Sequence, residues 1–306
     1  MENISSAIYE FIEAYVPKED ILLNEPMNKH TTFRVGGEAQ CFVRISDVRQ
    51  LMKLIPYFKL IEVPYFILGN GSNLLVGDKG YRGIILQICS KMNQITVEGT
   101  RIVAGAGALL SAVARCAAEN GLTGFEFASG IPGTLGGGVV MNAGAYDGEM
   151  KQVVKLVTVM NEQGEIMEFD NETMEFGYRT SIIKNRPFIV LSSVLELQNG
   201  DKNEILAKME DFSARRREKQ PLEFASAGST FKRPEGYFAG KLIMDAGLRG
   251  YSIGGARVSE KHCGFVINTG RASAADVAEV IREVQERVKD KFGVTLETEV
   301  IFLGDF

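Results

Sequence analysis

Apolar positions recur along the chain with two periods, and each period marks a different kind of element. At the helical spacing, residues 47–58 predict a helix with Asp47 at the N-cap and Gln50 at the capping-box position. Residues 111–120 form an alanine-rich helical pattern stopped by Gly121, which tolerates the left-handed turn that closes a helix. Residues 203–219 predict another helix, ended by Pro221, with Ile205, Leu206, Met209 and Phe212 assigned to its inner face. The strongest stripe is Val277, Val280, Ile281, Val284 and Val288, in a helix that opens at Ser273 and Asp276 and stops at Gly293.

Strand signals lie between these helices. Tyr65, Phe66, Ile67 and Leu68 form a run that Gly69-Asn70-Gly71-Ser72-Asn73 cannot continue. Residues 83–88, 94–98 and 101–104 alternate like short strands, and residues 153–160 and 166–169 flank a hairpin turn at residues 161–164. Residues 294–303 predict a last strand. The mixture lacks a regular βαβ alternation, which favours α+β domains over one doubly wound sheet. A boundary is expected near residues 200–220 and a weaker one near 78–83.

Composition narrows the class. The 306 residues are 45% hydrophobic and 24% charged, which excludes a disordered, collagen-like or coiled-coil chain. At roughly 100–200 residues per domain, two or three domains are expected. The net charge of −5 gives no global attraction for nucleic acid, so an anionic ligand needs a local basic pocket. Cys41, Cys89, Cys116 and Cys263 lie far apart, and His30 and His262 are the only histidines, which argues against a zinc site or a disulfide framework. Cys116 and Cys263 read as small core residues. The N-terminal residues carry Glu2, Glu10, Glu13 and Glu19 and do not read as a signal peptide. No window reaches the ~20 apolar residues of a membrane span, so a cytoplasmic protein is expected.

Glycine carries the chemistry-bearing signal. Gly69-Asn70-Gly71 and Gly105-Ala106-Gly107 begin like GxGxxG, but Leu74 and Leu110 replace the third glycine, and neither fits a dinucleotide fingerprint. Residues 130–146 are richer, with Gly130, Gly133, Gly136, Gly137, Gly138 and Gly144. Such density costs chain entropy and needs a geometric reason: either a tight loop, or bare backbone N–H groups converging on a phosphate. Two such loops would suit the two halves of a pyrophosphate.

Here the sequence resembles the UDP-N-acetylenolpyruvoylglucosamine reductase (MurB) family, among the FAD enzymes related to p-cresol methylhydroxylase and vanillyl-alcohol oxidase. The resemblance rests on Thr31-Thr32-Phe33-Arg34-Val35-Gly36-Gly37, on residues 68–76 and 130–146, on Phe176-Gly177-Tyr178-Arg179-Thr180-Ser181, on Ala227-Gly228-Ser229-Thr230-Phe231-Lys232, and on Glu297-Thr298-Glu299-Val300. They stand in family order from about residue 24 to 304, with the spacing of the family's shorter class. The resemblance implies an α+β fold: a two-part FAD-binding domain of the vanillyl-alcohol-oxidase type and a separate α+β substrate-binding domain. The expected parts are residues 1–80 with a returning strand at 293–306, residues 81–206, and a substrate domain at 207–292.

The implied reaction uses bound FAD, reduced by NADPH, to reduce the enolpyruvyl ether of a UDP-sugar in peptidoglycan precursor synthesis. The resemblance makes Ser229 the general acid, Arg179 the partner of the substrate carboxylate, and Glu299 a residue that helps polarise that carboxylate and supports proton delivery. Taken alone, Ser229 reads as a turn serine and Arg179 as a surface arginine. Strand alternation puts Glu297 and Glu299 on one face without choosing between them; the family pattern, a carboxylate just before the valine, selects Glu299. Implied FAD-binding residues are Arg34, Gly69, Asn70, Gly71, Ser72, Asn73, Leu74, Gly130, Ile131, Pro132, Gly133, Thr134, Gly136, Gly137, Asn142, Gly144, Ala145 and Tyr146. Implied substrate contacts are Tyr178, Lys219 and Arg233, although Arg233 stands where the longer class has asparagine. His262 is assigned a structural role, and no metal is expected. The implied partners are the UDP-sugar enolpyruvyl ether and NADPH, with no nucleic acid and no membrane span, for a chain acting as a monomer. Two other readings compete: an FAD-dependent oxidase or dehydrogenase of a small alcohol on the same fold, and a non-catalytic sugar-nucleotide-binding protein.

Overall fold

The computed structural model describes residues 4–306. Its N-terminal part holds helix α1 (Ser6–Glu13), helix α2 (Val48–Leu60) and strands β1 (Ile21–Pro26), β2 (Glu38–Ile45), β3 (Tyr65–Leu68), β4 (Leu74–Val76) and β5 (Tyr81–Ile88). Four of these make a sheet ordered β1-β2-β5-β3, parallel except for the β1–β2 hairpin. Both faces are covered. Cys41, Val43, Ile45, Ile84 and Leu86 join a large core with α2, while Phe42 and Ile85 meet Met27, Leu68, Leu74 and Val76 in a smaller one. A one-residue slip would exchange the two sets, so burial fixes the register. Because β5 lies between β2 and β3, the first layer reaches residue 88, beyond the expected limit at 80. Helix α2 starts with the expected capping box, in which Asp47 accepts from Arg49 N at 2.8 Å and Gln50 reaches back to Ser46 and Asp47.

The second part is an antiparallel sheet of β6 (Ile95–Glu98), β7 (Arg101–Gly105), β8 (Val154–Met160), β9 (Ile166–Asp170) and β10 (Ile189–Glu196), ordered β9-β8-β10-β7-β6. Helices α3 (Leu110–Glu119), α4 (Leu135–Val140), α5 (Ile182–Asn185) and α6 (Lys202–Lys219) accompany it. The β8–β9 turn forms as expected: Asn161 Oδ1 accepts from Gln163 N and Glu165 N at 3.0 and 2.9 Å, and Gly164 takes φ +83°. In α6, Ile205 and Phe212 are buried but Leu206 is 42% exposed, correcting its assignment to the inner face. Positions 205, 209 and 212 follow the helical repeat, whereas 206 is a further 100° round the axis. Phe212 enters the same core as the second sheet, so α6 belongs to this part rather than to a substrate domain beginning at 207.

The third part holds helix α7 (Ala239–Asp245), strands β11 (Ser252–Ile253), β12 (Ala256–Val258) and β13 (Val266–Asn268), helix α8 (Ala274–Phe292) and strand β14 (Ile301–Leu303). The expected stripe of α8 is fully buried against this small sheet, in a core that also takes Phe33, Val35 and Leu75 from the N-terminal part. Asp78 crosses between the parts: its carboxylate accepts from Ala274 N and Ala275 N, both at 2.8 Å, at the start of α8. Beyond α8 the expected strand at 294–303 is interrupted. Only Ile301–Leu303 is regular strand, paired parallel to β4, and Thr298 makes an isolated bridge to Phe231. The segment has two different partners in succession, so no single ladder runs along it.

Candidate active site

The chain's own bonds draw five distant segments to one place. Tyr178 and Arg179 are the two inner residues of a tight turn closed by Gly177 and Thr180, whose backbones bond reciprocally at 3.1 and 3.3 Å. Arg179 has φ +56°, a left-handed conformation that favours glycine or asparagine over arginine. That strain turns its guanidinium inward. Nη2 donates to Gly144 O at 3.3 Å, and Nε lies 2.9 Å from Glu299 Oε1. The charges touch, but the Nε–H misses the oxygen and has no hydrogen-bond acceptor, although the atom is sealed from solvent.

Glu299 is fixed from both neighbouring segments. Its backbone N donates to Thr230 O at 2.8 Å, and its carbonyl accepts from Asn73 Nδ2 at 2.9 Å. Burial pushes the Glu299 carboxyl above its ordinary pKa, while Arg179, Lys184 and Lys232 pull it back. Glu297, with its side chain 72% exposed, pairs with Lys232 Nζ at 2.8 Å. The difference in burial separates two carboxylates that alternation left equivalent. Lys184 has its pKa lowered by burial and then by Lys232. Ser229 precedes the fully buried Thr230, whose N donates to Gly264 O and whose Oγ1 accepts from Val266 N, both at 2.9 Å. Ser229 itself is exposed, and its hydroxyl bonds no other described residue. Arg179 and Glu299 therefore touch, and Ser229 is one residue from the backbone that anchors Glu299.

The two glycine loops also meet. Asn70 Nδ2 donates to Pro132 O at 3.0 Å, and a Cβ on Gly69 would lie 2.5 Å from Thr134 Oγ1. Gly71 has φ +63°, and a Cβ there would overlap His30 O at 1.9 Å. The backbone N–H groups of Asn70, Gly71, Ser72 and Asn73 donate to no other described residue. Four successive free donors on a loop without bulky side chains suit a pyrophosphate. The start of α4 differs: Leu135 N, Gly136 N and Gly138 N bond to Ala108 O, Ala106 O and Thr134 O, so Gly136 serves packing. Leu74 is buried in β4. Asn142 and Tyr146 are spent on protein contacts. Asn142 Nδ2 bonds Gly177 O and Glu149 Oε2, while Tyr146 stacks on Phe212 at 4.2 Å and donates to its carbonyl.

A cavity of about 440 Å³ borders the Asn70 loop and is lined by Lys29, Arg34, Gln87, Pro132, Arg216 and Phe224 among others. Arg216 was the residue missed. Its neighbours Arg215 and Arg217 pair with Asp211 and Glu210 at 2.7 and 2.6 Å, whereas Arg216 has no ion pair among the described residues and lies against Gly130. Lys219, the expected contact, is exposed and does not line the cavity. Helical spacing does not choose between the two, since 216 and 219 lie four and seven residues after the buried Phe212 and both fall near its face. Tyr178 OH accepts from Arg233 N at 3.0 Å, and the Arg233 guanidinium lies 4.0 Å from the Phe238 ring centre. His262 Nδ1 accepts from Gly264 N at 3.1 Å, in line with its structural assignment.

Alongside the bare-backbone anion cradle and the half-buried cation–carboxylate pair, residues 39–170 match the FAD binding domain, which marks the chain as a flavoprotein. Residues 220–303 match the C-terminal domain of UDP-N-acetylenolpyruvoylglucosamine reductase, which begins just after α6. The protein of that name from Clostridioides difficile (strain 630) is 53% identical over 298 residues, covering 97% of this chain and 98% of its own length. The one from Caldanaerobacter subterraneus subsp. tengcongensis is 54% identical over 285 residues, covering 93% and 94%. The crystal structure of the Thermus caldophilus enzyme superposes with a TM-score of 0.80 at 36% identity, covering 92% of this chain and 98% of that one. The chain belongs to the UDP-N-acetylenolpyruvoylglucosamine reductase family. It is an FAD-dependent oxidoreductase by that membership.

Proposed function

We propose that the protein uses NADPH and FAD to reduce the enolpyruvyl ether of UDP-N-acetylglucosamine enolpyruvate to UDP-N-acetylmuramate, a cytoplasmic step in peptidoglycan precursor synthesis. The observation that carries this reading is the half-buried Arg179–Glu299 ion pair at 2.9 Å, held where the Gly144 backbone, Asn73 and the segment after Ser229 converge. The free Asn70–Asn73 backbone N–H groups, beside Pro132 and Thr134, would hold FAD, which when bound would supply the hydride for the methylene carbon of the ether. Negative charge then builds on the adjacent carbon and its carboxylate.

Arg179 meets that charge. Its guanidinium is already oriented by the turn and by Gly144 O, so little reorganisation accompanies the reaction. Ser229 gives its proton to the adjacent carbon, completing the saturated lactyl ether, and is reprotonated from water. Glu299 holds Arg179 in place through their ion pair at 2.9 Å. Lys29, Arg34 and Arg216 make the cavity cationic, as a diphosphate requires.

The test separates the two half-reactions by anaerobic stopped-flow. In Ser229→Ala, NADPH bleaches the flavin at the parent rate, while reoxidation by the enolpyruvyl UDP-sugar falls by about two orders of magnitude or more. Unchanged reoxidation would remove Ser229 from the mechanism. Purified protein that takes up no FAD would remove the whole reading.

A further inference from the structure

The turn that presents Arg179 is tied to the glycine-rich segment by three bonds. Asn142 Nδ2 donates to Gly177 O at 2.9 Å, Ser181 Oγ donates to Val140 O at 2.8 Å, and Arg179 Nη2 donates to Gly144 O at 3.3 Å. Asn142 and Ser181 are each 1% exposed. Both amide hydrogens of Asn142 are committed, since the second meets Glu149 Oε2 at 3.1 Å, and its Oδ1 accepts from Lys151 N at 2.9 Å. A side chain so occupied has no donor left for a cofactor. Its own backbone stands at φ +43°, so the chain reverses here and aims the amide at the Arg179 turn.

We propose that Asn142 is a positioning residue for Arg179: it holds the Gly177 carbonyl and so registers the carboxylate-binding guanidinium against the flavin cradle. The inference rests on the reading of Arg179 given above. A catalytic arginine on a strained turn is only as well aimed as the bonds that oppose the strain. Asn142 and Ser181 hold the turn's two flanks, and Gly144 O receives the side chain itself.

The informative variant is Asn142→Gly, which keeps the left-handed backbone and deletes only the amide. In the FAD-loaded enzyme, NADPH should still reduce the flavin within about threefold of the parent rate, while reoxidation by the enolpyruvyl UDP-sugar slows about tenfold or more. In an Arg179→Lys background, the same change should add less than about threefold, because the two residues act as one unit. Hydrogen exchange of the holoenzyme should show faster exchange across residues 176–182. Ser181→Ala, which loosens the other flank, should give the same pattern and serves if Asn142→Gly does not fold. Equal losses in both half-reactions, normal reoxidation, additive effects with Arg179→Lys, or unchanged exchange would each overturn the proposal. If Arg179→Lys itself left reoxidation untouched, the assignment of Arg179 to the carboxylate would fail instead.

Discussion

Asp78→Ala tests how firmly the C-terminal part is fastened to the N-terminal part. The Asp78 carboxylate accepts the first two free N–H groups of α8, and Ser273 Oγ takes the third from Asp276 N at 3.0 Å. Ala274 is fully buried, so deleting its acceptor leaves an N–H that water cannot reach. That costs ~1–3 kcal/mol. Ala275 is exposed and recovers water, losing mainly the favourable helix-terminus charge, about 0.5–1 kcal/mol. The combined loss is near ~3 kcal/mol. If the C-terminal part melts by itself, its size makes this a fall of roughly 12–24 °C; if the chain melts as one body, the fall is no more than about 6–12 °C. Scanning calorimetry of the FAD-loaded protein distinguishes the two, and Asp78→Asn, which keeps one acceptor oxygen, should fall between parent and alanine variant. A melting temperature within about 1 °C of the parent would refute the capping argument.

Glu299→Gln should change how stability depends on pH. Burial raises the folded-state pKa of Glu299, so its contribution is fully present below the unfolded carboxylate range and is lost as pH rises through the folded value. The melting temperature of the variant minus that of the parent should therefore grow more positive from about pH 4 to pH 7, and a constant difference would refute the burial argument. Gly71→Ala should weaken FAD binding. The left-handed backbone alone costs an alanine ~1–2 kcal/mol, or about 5–30-fold, before its overlap with His30 O. Fluorescence titration showing parent affinity would contradict it.

What was legible in the sequence was local. Capping boxes at Asp47 and Ser273, the Asn161 turn and the α8 stripe each lie within a single element or turn, where period and side-chain chemistry speak directly. The order of the motifs led to the right family. Asp78 could not be found that way, since it caps a helix 196 residues further on. The broken 294–303 strand was hidden for the same reason: its apolar alternation is intact, but its partners come from two remote segments. The resemblance implies a cofactor contact for Tyr146, and only the packing of α6 shows its ring stacked on Phe212. Arg216 and Lys219 share one basic run and lie four and seven residues after Phe212, so helical phase leaves both near its face, and only the cavity and the contact with Gly130 single out Arg216.

The pairing of β14 with β4 has a temporal corollary. Arg179 and Ser229 leave the ribosome well before Glu299, and Glu299 reaches its seat through the closing segment that Asn73 and β4 hold. Until those final residues arrive, a nascent chain has a guanidinium with no counter-charge beside it, and the pocket gains its acid last.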